Sequence, residues 1–263
     1  MSAPESYWSY SRLTTYLSCS LAYFFRYLSD EKPESVSANL LLGSGVHYGH
    51  ELIYRGMMNG GIPNLDDILD EVSEDIVLRE KLNPPILFSN GNDLDDLISE
   101  ARRLTECLFR SVSPEKVVAV DLEETVPILD YGKPLGTPLK VIYDLIVEGD
   151  DGEEIVVDLK TTRCRFQQPK LDWDLQPTCY LYARGISGGN GKRRSFRYDC
   201  LLKKKEPEFV QYPANRGKAD FQRMVSIVKT VSDGIKHGIF IPNRGSYFCG
   251  TCEWEKACRD WKG

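Results

Sequence analysis

The sequence predicts a mixed α/β (α+β) fold, and three features carry that reading. Before residue 115 the apolar residues recur near the 3.6 period of an amphipathic helix. After it, runs rich in Val and Ile take over, bounded by turn residues, as strands require. Helical spacing then returns between and after these runs, so that helices have a sheet to pack on.

Each element follows from local chemistry. The stretch 9–28 opens on serine and has no glycine or proline, which predicts one continuous amphipathic helix. Residues 30–38 read as a loop and 39–59 as a second helix with Gly43 and Gly45 in its first turns. Acidic helices are expected over 65–81 and 92–112, separated by the Asn-Pro-Pro at 83–85. Strands are expected over 116–129, 137–149 and 153–162, the last two joined by a hairpin turn at 149–153. Asp174 is placed to cap a helix over 174–185, with Pro177 in its first turn, where proline is tolerated. Strands over 195–203 and 207–212 and a helix over 216–236 complete the core.

The chain has 263 residues, 41% of them hydrophobic, which suits a single packed domain spanning 1–263. No run approaches the roughly 18 apolar residues of a membrane helix. The N-terminus lacks a basic segment leading into an apolar one. A soluble, cytoplasmic protein without membrane contact is the expectation. Net charge is −6, but unevenly spread. Residues 1–158 hold 12 Lys+Arg against 29 Asp+Glu, and residues 159–263 hold 21 against 10. A basic second half suits a polyanionic partner, although two ordinary solvated faces would look the same.

The most informative stretch is YDLIVEGDDGEEIVVDLKTT, 143–162. A symmetric hairpin centred on Asp151 sets Asp144 opposite Asp158, and Lys160, two residues on, shares the face of Asp158. Facing carboxylates in an apolar strand pair repel each other unless a proton or cation lies between them. A hard divalent ion, held by one or two carboxylates with water and substrate phosphate, fits that arrangement. The plainer reading is a solvent-facing strand of alternating charge. Ile155, Val156, Val157 and Leu159 argue against it, because a nearly continuous apolar strand is covered on both faces.

Asp144, thirteen intervening residues and then Asp158-Leu159-Lys160 together resemble the signature of PD-(D/E)XK nucleases. GSGVHYGHE (43–51), Gln176 with Tyr180, and SRLTTYLSC (11–19) resemble the histidine, QxxxY and opening motifs of the RecB-like exonuclease branch that carries an Fe–S cluster. CRISPR-associated RecB-like exonucleases and the AddB nuclease domain share this pattern. The resemblance spans nearly the whole chain. It implies a central mixed sheet of restriction-endonuclease-like type flanked by helices, with a helical N-terminal elaboration and an insertion at 60–115. It further implies Mg²⁺ or Mn²⁺ held by His47, Asp144, Asp158 and the Leu159 carbonyl. Lys160 would orient or activate water, and Gln176 and Tyr180 would contact DNA or support the site. Glu51, one helical turn from His47, is a candidate for a supporting role or a second metal.

The implied activity is hydrolysis of DNA, single-stranded or at free ends, in repair, recombination or phage DNA metabolism, with a helicase as a fitting partner. Trimming of DNA before CRISPR spacer integration, alongside an integrase, is the alternative within the same chemistry. A non-catalytic Fe–S scaffold that binds DNA is the alternative outside it.

Eight cysteines in a cytosolic chain point to metal or free thiols rather than disulfides. Cys107, Cys164, Cys179 and Cys200 stand singly and read as small buried apolar side chains. Cys249, Cys252 and Cys258 form a C-x2-C-x5-C tail, one short of a four-thiolate site. The resemblance supplies Cys19 as the fourth ligand of a [4Fe–4S] cluster, with structural Zn²⁺ as the competitor. Segments 1–38 and 238–263 would then form one Fe–S subregion, with Tyr247, Phe248, Trp254 and Trp261 packed around it. His50 and His237 are expected to be ordinary structural histidines.

Overall fold

A computed structural model of the chain describes residues 6–61, 63–88, 91–113, 115–189, 191–246, 249–250 and 252–262. The chain opens with helices α1 (Tyr10–Ser18) and α2 (Ser20–Tyr27), a short strand β1 (Val36–Ser37) and the long helix α3 (Ala38–Met58). Helix α4 (Leu65–Leu82), strand β2 (Ile86–Leu87) and helix α5 (Leu94–Ser111) follow. The strands are β3 (Lys116–Val126), β4 (Leu129–Asp130), β5 (Lys133–Pro134), β6 (Leu139–Glu148) and β7 (Glu154–Thr162). Helices α6 (Gln168–Trp173) and α7 (Leu175–Ser187) lead to β8 (Arg194–Leu202), β9 (Glu208–Ala214), α8 (Lys218–Lys236) and α9 (Glu255–Asp260).

The main sheet has the order β3-β6-β7-β8-β9. All its neighbours are antiparallel except β7 and β8, which run parallel through the α6–α7 crossover. Both faces are covered, as the apolar run of β7 requires. On one side α3, α4 and α5 pack over Leu145, Val147, Val157 and Leu159. On the other, α7 packs over Val141, Ile146, Val156 and Phe196, with α1 and α8 packed against α7. The mixed sheet between two helical layers is the predicted fold class. No described helix is long and apolar enough to cross a membrane.

Several local expectations are corrected. The helix predicted over 9–28 breaks at Cys19, whose backbone is extended (φ −162°, ψ 104°). Tertiary hydrogen bonds outweigh helical propensity there. Asn243 Nδ2 donates to the Ser18 carbonyl (2.9 Å), and Ile241 N–H donates to Ser20 Oγ (2.7 Å). The strand expected over 116–129 stops at Val126, before Pro127, whose missing N–H cannot continue the ladder. Tyr182 then bridges the bend: its hydroxyl donates to the Pro127 carbonyl (3.2 Å) and accepts from Leu129 N–H (2.8 Å). Helices α6 and α9, six residues each, were too short to leave a periodic signal. Cys179 and Cys200 are buried as expected, but Cys164 is exposed and Cys107 only half-buried. His237 is exposed as well, at the end of α8.

Close approach of α3 to its neighbours depends on glycine. A Cβ on Gly49 would lie 2.7 Å from Thr105 Cγ2 and 3.0 Å from Val72 Cγ2. Both are buried, β-branched side chains with little freedom to yield. Gly49→Ala should therefore lower stability by about 1–3 kcal/mol through overpacking, outweighing its gain in helix propensity. Urea denaturation would reveal this as a lower midpoint at unchanged slope.

Candidate active site

The β6–β7 hairpin adopts the symmetric register, with Leu145 opposite Val157, Ile146 opposite Val156 and Val147 opposite Ile155. Gly149 N–H donates to the Glu153 carbonyl (2.8 Å), and Gly152 takes the left-handed conformation that the turn needs. Asp144 lies one step beyond the last paired residues. There its Oδ2 accepts the Leu159 N–H (2.8 Å), a side chain standing in for the next rung of the ladder.

Strand β6 also changes phase at Asp144. Tyr143 packs into the core under α7, whereas Leu145 packs into the core under α3, although residues two apart normally share a face. Opposite the change, Asp121 on β3 takes a positive φ of 50°. The local irregularity leaves Asp144 within reach of α3, where His47 Nδ1 lies 3.3 Å from its Oδ1.

Asp158 is held from the other layer. Its side chain is 3% exposed and ion-paired with Lys160 Nζ at 2.5 Å. Gln176 Nε2 donates to Asp158 Oδ1. Gln176 reaches it because Asp174 caps α7, accepting the Gln176 N–H at 3.0 Å. Tyr180, one turn further along α7, packs edge-on against Tyr143 with ring centres 5.4 Å apart.

The electrostatics follow from this layout. Burial pushes the Asp158 carboxyl up to about 6, with Asp144 adding to the rise and Lys160 opposing it. Burial acts the same way on Asp144, but His47 and then Lys160 outweigh it and hold that carboxyl below its ordinary value. Burial would lower His47 and Lys160, yet the acids outweigh it and raise both. Two anions thus stand against two potential cations in one cluster, of which Asp158 is the fully buried member.

His47, His50, Glu51, Tyr48, Asp121 and Asp144 line a cavity of about 380 Å³ along α3. Glu51 faces this cavity but is engaged by Arg55 at 2.6 Å. His50 was expected to be a satisfied structural histidine. It is buried, but its Nε2 has no partner among the described residues, and burial holds it neutral, down to about 4. Its spacing of three from His47 was the available signal, since residues three apart share a helix face. Asp121 left no signal, because it reaches the cavity only through the pairing of β3 with β6.

The N- and C-terminal segments come together around sulfur. Cys19 Sγ accepts the Asn243 N–H at 3.4 Å. Burial raises the Cys258 thiol, and the neighbouring Cys19, Cys249 and Cys252 add to the rise. Leu21, Phe25 and Trp254 form a small core beside them, against which Trp261 packs. Tyr247 and Phe248 lie outside the described residues. Among the described residues no three His, Cys, Asp or Glu side chains close around a common point, at the carboxylates or at the sulfurs.

The family model of the PD-(D/E)XK nuclease superfamily matches residues 7–259, and the chain belongs to that superfamily. Among solved structures, a "putative exonuclease" from Eubacterium rectale aligns over 98% of this chain and 89% of its own, with a TM-score of 0.57 and 18% identity. That likeness shows the fold alone. The structure of SSO0001 aligns over 93% of this chain and 90% of its own at 14% identity, but its TM-score of 0.38 carries no argument. No match was found among curated proteins.

A divalent ion at Asp144 and Asp158 needs both carboxylates ionised, so protons compete with it for Asp158. Calorimetry should show Mn²⁺ binding weaken as pH falls from above neutrality, first as His47, raised above its ordinary value, takes up a proton and then through about 6 at Asp158. Affinity unchanged across that range would place the ion elsewhere.

Proposed function

We propose that the protein is a metal-dependent DNA exonuclease acting on single strands or free ends. The observation that carries this reading is the gathering of Asp144, Asp158, Lys160 and His47 at the end of one hairpin, inside a chain of this superfamily. Asp144, Asp158, the Leu159 carbonyl and His47 would hold Mg²⁺ or Mn²⁺. The donor set fits, since Mg²⁺ is commonly bound through one or two carboxylates, with water and phosphate completing its shell. When bound, the ion supplies Lewis-acid polarisation of the phosphate and a more acidic water.

The residues of the chain do the rest. Lys160, paired with Asp158, would donate to a water or phosphoryl oxygen beside the ion. Gln176 orients the Asp158 carboxylate. Tyr180 buttresses that end of α7 through its ring contacts with Tyr143 and Phe196. Glu51 remains in a supporting role, tied to Arg55.

A [4Fe–4S] cluster on Cys19, Cys249, Cys252 and Cys258 would serve structure and not turnover. Four neighbouring thiols, flanked by an apolar cluster, suit such a group. A clip between residue 19 and the C-terminal tail closes a very long loop, where a cross-link restricts the unfolded chain most in principle.

Two experiments test the reading. Asp158→Asn keeps an acceptor for Gln176 but removes the anion. It should abolish Mn²⁺-dependent digestion of end-labelled single-stranded DNA while the circular dichroism spectrum stays native; wild-type turnover in the variant would refute the assignment. Protein purified without oxygen should show a broad visible absorption that bleaches on reduction and is lost in Cys258→Ser. A colourless protein carrying stoichiometric zinc would replace the cluster with a zinc site.

A further inference from the structure

Helix α3 lies across one face of the sheet, against β3, β6 and β7, and its two ends meet opposite chemistry. At its first turn Lys203 Nζ donates to Asn39 Oδ1 (2.7 Å), while the Lys203 N–H donates to the Thr162 carbonyl (2.7 Å). Gly43 passes over Thr161, and His47 sits at Asp144. Further along, Arg55 pairs with Glu51 and lies 3.9 Å from Asp121 on β3. The cavity of the catalytic cluster follows this face from Asn39 to Asp121.

The cations at the first end lack matching acids. Arg163 is exposed and forms no hydrogen bond or ion pair among the described residues. Lys203 contacts a neutral amide, and Arg103 Nη1 donates to the carbonyl of Lys205 (3.1 Å). Glu208 engages Arg165 and Lys204, which leaves Glu100 as the acid facing Lys203. Burial lowers Lys203; Glu100 opposes the fall and Arg163 adds a lesser push in the same direction as burial.

At the other end the balance reverses. Arg55 is engaged by Glu51, and Arg79 by Asp75 at 2.6 Å. Tyr48 Oη donates to Glu71 (3.1 Å), and Asp121 is largely exposed. In the second basic cluster of the chain, at 192–194, the two arginines have partners by contrast. Arg193 pairs with Asp151, and Arg194 with Glu154 and the carbonyls of Gly188 and Gly189.

A polyanion releases counterions on the first end and meets like charge on the second. We infer that the nucleic-acid strand lies to one side of the catalytic cluster only, its phosphates held by Arg163 and Lys203, and its terminus lodged near Glu71 and Asp121. The inference rests on the nuclease reading and names its substrate class, a strand with a free end.

Binding of a fluorescent single-stranded oligonucleotide, measured without divalent metal, tests the track apart from catalysis. Arg163→Ala/Lys203→Ala should weaken binding about tenfold or more at low salt and reduce the salt slope by about 1.4, for two lost phosphate contacts. Arg193→Ala should change neither. With Mn²⁺, the wild type should digest linear strands in strong preference to closed circles, and Glu71→Gln/Asp121→Asn should raise cleavage of circles by roughly tenfold. Wild-type binding in the double alanine variant, an equal loss in Arg193→Ala, or indifference to strand closure in the wild type would each overturn the inference. Binding as expected without cleavage would sink the nuclease reading and leave the track standing.

Discussion

The Asp158–Lys160 ion pair is the interaction on which the site depends. Asp158 is almost wholly buried, and burying a carboxylate costs several kcal/mol unless charge and hydrogen bonds return it. Lys160 supplies the charge and Gln176 the hydrogen bond. Neither partner is free to leave. Lys160 stands on the same strand, and Gln176 is fixed by the capped first turn of α7. An apolar pair at these positions would be cheaper to bury, and the proposed metal-binding role would account for an arrangement held at a cost in stability.

Asp144 completes the cluster through a defect in regular structure. A strand that kept its alternation would give Tyr143 and Leu145 one common face. The change of phase at Asp144, with the kink at Asp121 beside it, frees one carboxylate from the ladder and turns it towards His47. Two helical layers thereby share one site: α7 holds Asp158 and α3 holds Asp144. A shift of either layer would alter the distance between the carboxylates, which connects core packing at positions such as Gly49 with the geometry of the site.

The uneven charge of the chain acquires a location in the fold. Much of the acidic excess lies on α4 and α5, which carry capping acids and i,i+4 ion pairs on one flank. Part of the basic excess is paired with acids, as at Arg193 and Arg194, and part forms no ion pair among the described residues, as at Arg163. The count of charges cannot separate these; only pairing can.

Sequence alone determined the sheet and most of the helices, because period and turn chemistry are local. It determined the hairpin register too, since a tight turn at Gly149–Glu153 leaves two apolar strands one way to align. The placement of Asp144, Asp158 and Lys160 on the hairpin was legible for that reason, whereas Gln176 was singled out only through the resemblance to a QxxxY motif. The break at Cys19, the unpartnered imidazole of His50, the phase change at Asp144 and the approach of Asp121 were decided by the tertiary structure. Each depends on groups far apart in the chain, such as Asn243 with Ser18 or α3 with β3, whose hydrogen bonds and contacts outweigh local preference only once the layers are assembled.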